Sequence, residues 1–121
     1  MRILIVEDNE MNRDMLRRRL EFRGYTVEIA ADGASGIEAA QSQPDVILMD
    51  MSLPVVDGWE ATRRLKADSK TGSIPVIALT AHALKDDQEK AMKAGCDGFH
   101  PKPIEMEELI NLIQKLSTRV S

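Results

Sequence analysis

Four side chains suited to phosphoryl chemistry stand at the ends of four mainly apolar runs. Asp8 closes Ile3-Leu4-Ile5-Val6-Glu7-Asp8, and Asp50 closes Asp45-Val46-Ile47-Leu48-Met49-Asp50. Thr80 follows Pro75-Val76-Ile77-Ala78-Leu79, and Lys102 follows Asp97-Gly98-Phe99-His100-Pro101. Carboxylates crowded together repel and are expected to titrate abnormally unless a cation joins them. Magnesium suits them, being a hard ion that takes one or two carboxylates, keeps several waters and accepts a phosphate oxygen. A hydroxyl at Thr80 and an ammonium at Lys102 would meet the charged oxygens of a bound phosphoryl group. Taken singly, these residues read as a cap, a turn residue and a solvated lysine. The signal is that four complementary groups fall at four strand ends.

The elements that must bring them together can be read in order. The run to Asp50 has no charge between Val46 and Met49, as befits a strand buried on both faces of a parallel sheet. Met51 to Gly58 reads as a loop, from its Pro54 and Asp57-Gly58. Asn9 can cap a first helix whose apolar stripe is Met11, Met15, Leu16 and Leu20, and Gly24 stops it. Thr26 to Ala30 alternates partly, as an edge strand does. Asp32-Gly33 leads into a short helix carrying Ile37 and Ala40, which Pro44 ends. Trp59, Thr62 and Leu65 mark another helix, with a polar loop from Lys66 to Ser73. Pro75 opens a fourth strand, where its missing N–H is tolerated. A helix from about Leu84 to Lys93, closed by Gly95, a weak fifth strand over Asp97 to His100, and a last helix from Ile104 through Leu109, Leu112, Ile113, Leu116 and Val120 complete the chain.

Strands alternating with helices predict an α/β fold: a five-stranded parallel sheet covered by helices on both faces. Right-handed crossovers and short connections favour the order 2-1-3-4-5. In that order strands one and three are neighbours, so Asp8 and Asp50 face each other where ligands bind in open α/β sheets.

Composition narrows the function. At 121 residues the chain fits one domain, 1–121, large enough to bury a core without staples. A net charge of −4 offers no basic surface for nucleic acid or anionic membrane. One cysteine, Cys96, excludes an internal disulfide framework and a cysteine-rich zinc site, and reads as a small buried hydrophobe. With no membrane-length apolar run and no signal peptide, a cytoplasmic location is expected.

Over essentially its whole length the chain resembles the receiver domain of two-component response regulators. The resemblance rests on Glu7-Asp8-Asn9, Met49-Asp50 with Leu53-Pro54 and Asp57-Gly58, Thr80-Ala81, and Lys102-Pro103. It implies a flavodoxin-like receiver fold in which Asp50 accepts a phosphoryl group from a phosphohistidine on a histidine kinase or a histidine phosphotransfer protein. It further implies that Asp8, Asp50 and the backbone carbonyl of Ser52 bind magnesium, with Glu7 acting through a metal water. Lys102 would pair with Asp50 and then with the phosphate, and Thr80 would hydrogen-bond the phosphoryl oxygen, while small Ala81 and Ser52 leave the site open. Thr80 and Phe99 are the expected switch residues, acting on the face of the fourth helix, fifth strand and fifth helix around Lys93, Phe99 and Glu107. The Lys102-Pro103 bond is expected to be cis, aiming Lys102 into the acid cluster. Such a domain catalyses its own phosphorylation and dephosphorylation without being an enzyme in the usual sense.

Met11, Met15, Pro103 and Ile104 are expected to form an apolar rim that docks the donor, with Met11 exposed and Met15 open to a core reading. The start at Met1, just before the first strand, favours a stand-alone receiver over one cut from a longer chain, acting on a further protein. Two other readings rank lower. A phosphatase or phosphotransferase of the haloacid-dehalogenase type needs an acid two residues after the nucleophile, where this chain has Ser52. A flavin carrier has only Trp59 and Tyr25 to stack on the ring and lacks a phosphate loop after strand one.

Overall fold

The central strand of the sheet has no exposed residue: β3, Val46–Asp50, is buried along its whole length. Its neighbours are β1, Arg2–Val6, and β4, Val76–Thr80, the latter also buried throughout. The computed structural model describes residues 1–53, 56–81 and 85–118. Pro54, the expected helix start at Leu84, and Val120 lie outside them. Among the described residues five strands form one parallel sheet in the order β2-β1-β3-β4-β5, the order the sequence reading favoured. The outer strands are β2, Thr26–Ala30, and β5, Gly98–Pro101. β2 is half-exposed, and its Glu28 is paired with Arg2 of β1 at 2.7 Å.

Side chains alternate across the sheet and divide the core in two. Leu4, Val6, Ile47, Met49, Val76 and Ala78 point to one face. There they meet α3, Gly58–Ala67, through Ala61 and Leu65, and α4, Lys85–Ala94, through Ala91. The short α2, Gly33–Ala39, packs beside α3. Ile3, Ile5, Val46, Leu48, Ile77 and Leu79 point to the other face. They meet α1, Glu10–Phe22, through Leu16 and Leu20, and α5, Met106–Thr118, through Leu109, Ile113 and Leu116.

The helix starts follow from side chains that take up orphan backbone N–H groups. Asn9 Oδ1 accepts from Asn12 N at 2.9 Å, Asp32 from Ser35 N at 2.7 Å, and Asp57 from Glu60 N at 2.9 Å. Gly24 and Gly95 end α1 and α4 with φ of 93° and 104°, a left-handed conformation that costs glycine little.

Several boundaries differ from the sequence reading, and β4 begins at Val76, with Pro75 just before it giving only its carbonyl to Ile47 N. α5 begins at Met106 because Glu105 takes the cap: its carboxylate accepts from Glu108 N and its carbonyl from Leu109 N. β5 runs one residue later, since Asp97 is occupied with Val76 N and Lys66 Nζ. The helix carrying Ile37 ends at Ala39, and Ala40–Ser42 continue it as a tighter 3₁₀ turn. Finally, Lys66 belongs to α3, and the following stretch is anchored by its amine on Ile74 O at 2.7 Å and by buried Thr71, whose hydroxyl donates to Leu65 O. Cys96 is buried, as expected.

Gly58 packs against the backbone of the central strand's end. A Cβ there would lie 2.4 Å from Asp50 O and 2.6 Å from Met51 Cα, and neither backbone atom can move aside cheaply. We expect Gly58→Ala to lose about 1–3 kcal/mol, the usual cost of overpacking. Urea unfolding checks this, and an unchanged midpoint would refute it.

Candidate functional site

Two buried carboxylates and one ammonium meet at the carboxyl edge of the sheet, brought there by three different strands. Glu7 follows β1 and is only 3% exposed. Its N–H donates to Ala30 O at 3.0 Å, its carbonyl accepts from the Arg13 guanidinium at 2.9 Å, and its Oε1 accepts from Asn12 Nδ2 at 3.3 Å. Asp50 ends β3 at 4% exposure, with Oδ1 accepting the Ser52 N–H at 3.0 Å. Lys102, beyond β5, sends Nζ to Asp50 Oδ2 at 3.2 Å and Glu7 Oε2 at 3.4 Å. Its own N–H donates to Thr80 O at 2.7 Å, which fixes the base of the side chain to β4. The Lys102-Pro103 bond is cis, as the sequence reading expected.

Charge is unevenly held in this cluster. Burial, then the hydrogen bond and repulsion from Asp50, push the Glu7 carboxyl up from 4.5 to about 7, against smaller opposing pulls from Lys102 and Asn12. Burial works against charge on Lys102, but Asp50 and Glu7 together outweigh it and keep the ammonium above its ordinary range.

Asp8 is exposed beside this pair, and oxygen atoms of Glu7, Asp8 and Asp50 all lie within 4.8 Å of one another. A set of carboxylate oxygens alone, with one exposed ligand, fits a hard divalent cation that keeps part of its water shell. These three residues could therefore hold a metal ion.

The remaining predicted residues fall into separate groups. Thr80 is buried at the end of β4 and Ala81 is exposed just after it. Phe99 is half-buried on the α3–α4 face of the sheet, packed against the first core cluster. Met15, Pro103 and Ile104 line one groove of about 210 Å³, which reaches Glu7 and Lys102 at its inner end. Met11 lies outside that groove at 78% exposure, and Met15 is 42% exposed.

Residues 3–114 match the family described as response regulator receiver domain. The chain belongs to that family. Receiver domains are signalling domains that receive phosphoryl groups from histidine kinases. This one is 41% identical to the polar-differentiation response regulator DivK of Brucella anthropi, over 93% of this chain and 92% of that protein. Among solved structures it is similar to the receiver domain of the sensor histidine kinase PA1611 from Pseudomonas aeruginosa, described with a magnesium ion coordinated in its active site cleft. The TM-score is 0.90 at 40% identity, covering 97% of each chain. It is also similar to the chemotaxis protein CheY4 of Vibrio cholerae, with a TM-score of 0.89 at 30% identity over 95% of this chain and 97% of that one. Among the described residues no helix of this receiver is long and apolar enough to cross a membrane.

Sequence reasoning missed three supports of the site. Asn12 and Arg13 hold Glu7 from α1, one turn past the Asn9 cap, and only that helical spacing could have hinted at it. The packing of Gly58 on Asp50 carries no sequence signal beyond the Asp-Gly turn.

Glu7 makes the metal-free protein's stability depend on pH. The native state keeps the Glu7 proton up to about pH 7, whereas the usual carboxyl releases it near 4.5, so this contribution is complete below 4.5 and is lost as pH rises through 7. Glu7→Gln should remove that decline, gaining about 1–3 kcal/mol on the wild type at alkaline relative to acid pH. Urea unfolding without magnesium measures it, and parallel stability curves would exclude it.

Proposed function

We propose that residues 1–121 act as one cytoplasmic receiver domain in which Asp50 accepts a phosphoryl group from a phosphohistidine on a histidine kinase or histidine phosphotransfer protein. The observation that carries this reading is Lys102 Nζ, 3.2 Å from a buried Asp50 carboxylate with two further acids beside it. Asp50 Oδ attacks phosphorus in line, forming a P–O bond as the P–N bond to the donor histidine breaks, and the imidazole nitrogen takes back the electron pair. Such transfer needs mainly alignment and neutralisation of charge spread over the phosphoryl oxygens.

Lys102 is the residue placed to follow that charge, moving from the Asp50 carboxylate to the phosphoryl group. Asp8, Asp50 and the Ser52 carbonyl would hold magnesium, with Glu7 through a metal water, and the bound ion supplies further neutralisation. The Ser52 N–H orients the acceptor by holding Oδ1. Thr80 offers its hydroxyl to a phosphoryl oxygen, and small Ala81 leaves the approach open. Reversal by water at phosphorus returns Asp50 to a free carboxylate, so the domain promotes its own phosphorylation and dephosphorylation.

A doubly charged group at Asp50 must bias an element with two arrangements to be felt elsewhere. Thr80 and half-buried Phe99 serve that role here, and the face of α4, β5 and α5 around Lys93, Phe99 and Glu107 presents the result to a downstream protein. Ser52 stands where a haloacid-dehalogenase-type enzyme would carry its acid/base, which favours the receiver reading over that one.

A small phosphodonor with magnesium should add one phosphoryl group by intact mass, and Asp50→Asn or chelation should each abolish it. Modification that persists in Asp50→Asn would sink the assignment. Met15, Pro103 and Ile104 line the groove beside the acids, and with exposed Met11 they form an apolar rim suited to the helices of the phosphohistidine protein. Met11→Asp should slow transfer from the protein donor by about fivefold or more, the effect of one useful interface side chain. Small-donor phosphorylation should be unaffected, and equal loss with both donors would remove Met11 from the docking surface.

A further inference from the structure

Among the described residues, the chemistry proposed for Asp50 leaves a buried imidazole unused. His100 is 4% exposed on β5, opposite Leu79 of β4, and so lies on the sheet face covered by α1 and α5. Its Nε2 accepts the N–H of Glu105 at 3.1 Å. Glu105 is the residue from which α5 starts, since its carbonyl accepts from Leu109 N. The His100 hydrogen bond therefore closes a loop of four residues, Pro101 to Ile104, that carries the Lys102 amine and half of the apolar rim.

A ring nitrogen that accepts an N–H carries no proton, so the imidazole is neutral with its hydrogen on Nδ1. A proton on Nε2 would set N–H against N–H and place positive charge at the positive end of the α5 dipole. The carboxylates of Glu108 in α5 and of Glu105 at its cap favour the charged ring. On the other elements facing this layer, Leu79 of β4 and Leu16 and Leu20 of α1 carry no charge, and Lys102 turns its ammonium away to Glu7 and Asp50. Burial outweighs the two glutamates and holds the imidazole below its ordinary 6.5.

We propose that His100 is a positioning residue: as a neutral ring it holds the Lys102 loop closed for phosphoryl acceptance at Asp50, and taking a proton opens that loop. The inference rests on the phosphoacceptor reading of Asp50. It adds a pH-sensitive latch that lies outside the acidic cluster and acts through the backbone of α5.

The test compares the wild type, His100→Gln, whose amide oxygen can accept the same N–H without titrating, and His100→Leu, which cannot accept it. Phosphorylation by acetyl phosphate with magnesium is followed between about pH 8 and pH 5.5, the range that brackets the charge change of histidine. Each rate is divided by that protein's own value at pH 8, and the wild-type profile is divided by that of His100→Gln to cancel the titration of Glu7. The expected ratio falls about threefold at the acid end, the effect of one neutral hydrogen bond. The Glu105 amide nitrogen should shift with the His100 ring in the same titration, and His100→Leu should be slow already at pH 8. A flat ratio, or a Glu105 amide that ignores the ring, overturns the latch while leaving Asp50 as the acceptor. A wild type that takes no phosphoryl group at any pH overturns the reading of Asp50 and the latch with it.

Discussion

One ammonium between two buried carboxylates is the constraint on which the rest of this receiver depends. Lys102 Nζ touches Asp50 and Glu7 at 3.2 and 3.4 Å, and both acids are almost fully out of water. Burying such charges costs several kcal/mol each unless geometry and hydrogen bonds compensate. Compensation here needs three chain segments to arrive together: the end of β1, the end of β3 and the turn beyond β5. The sheet order supplies two of these arrivals, because β1 and β3 are hydrogen-bonded neighbours. The third comes from β4, whose Thr80 carbonyl takes the Lys102 N–H and fixes where that side chain begins. Register errors anywhere in the sheet would strand a buried charge, so folding and site assembly are one requirement.

Glu7 relieves part of the load by holding its proton. Burial and the neighbouring Asp50 push its carboxyl up to about 7, which lightens the negative charge the buried cluster has to hold. That would suit the phosphoryl acceptance proposed for Asp50, which brings a doubly charged group to the site.

Most of the fold was legible from the chain because burial on both faces leaves a plain mark: β3 and β4 read as unbroken apolar runs and are buried throughout. The strand order followed from handedness and short connections, and the acids and Lys102 were found because each sits at a strand end. Side-chain partners were harder to read. Lys102 and Glu7 are 95 residues apart, and no local pattern says which atoms meet. The stripe on α1 divides in two for a geometric reason. Met11 and Met15 repeat at the same four-residue interval as Leu16 and Leu20, but one residue earlier, about 100° around the helix. Leu16 and Leu20 therefore enter the core while both methionines face out. Likewise Ile104 looked like the start of α5, but Glu105 carries the oxygen that can cap it.

The two outer strands of the sheet are closed to company in different ways. An unpaired strand edge is a template on which another chain can add a strand, and aggregation commonly starts there. β2 is only five residues long and carries charged Glu28, tied to Arg2 and to the Ser42 hydroxyl, and short charged strands are poor templates for a newcomer. β5 is only four residues long and ends in Pro101, which has no N–H to offer. A signalling domain meets many proteins in passing, and edges guarded in this way leave helices and loops as its means of contact. Contacts made of side chains can part again, whereas a strand added to a growing sheet is held along its whole backbone.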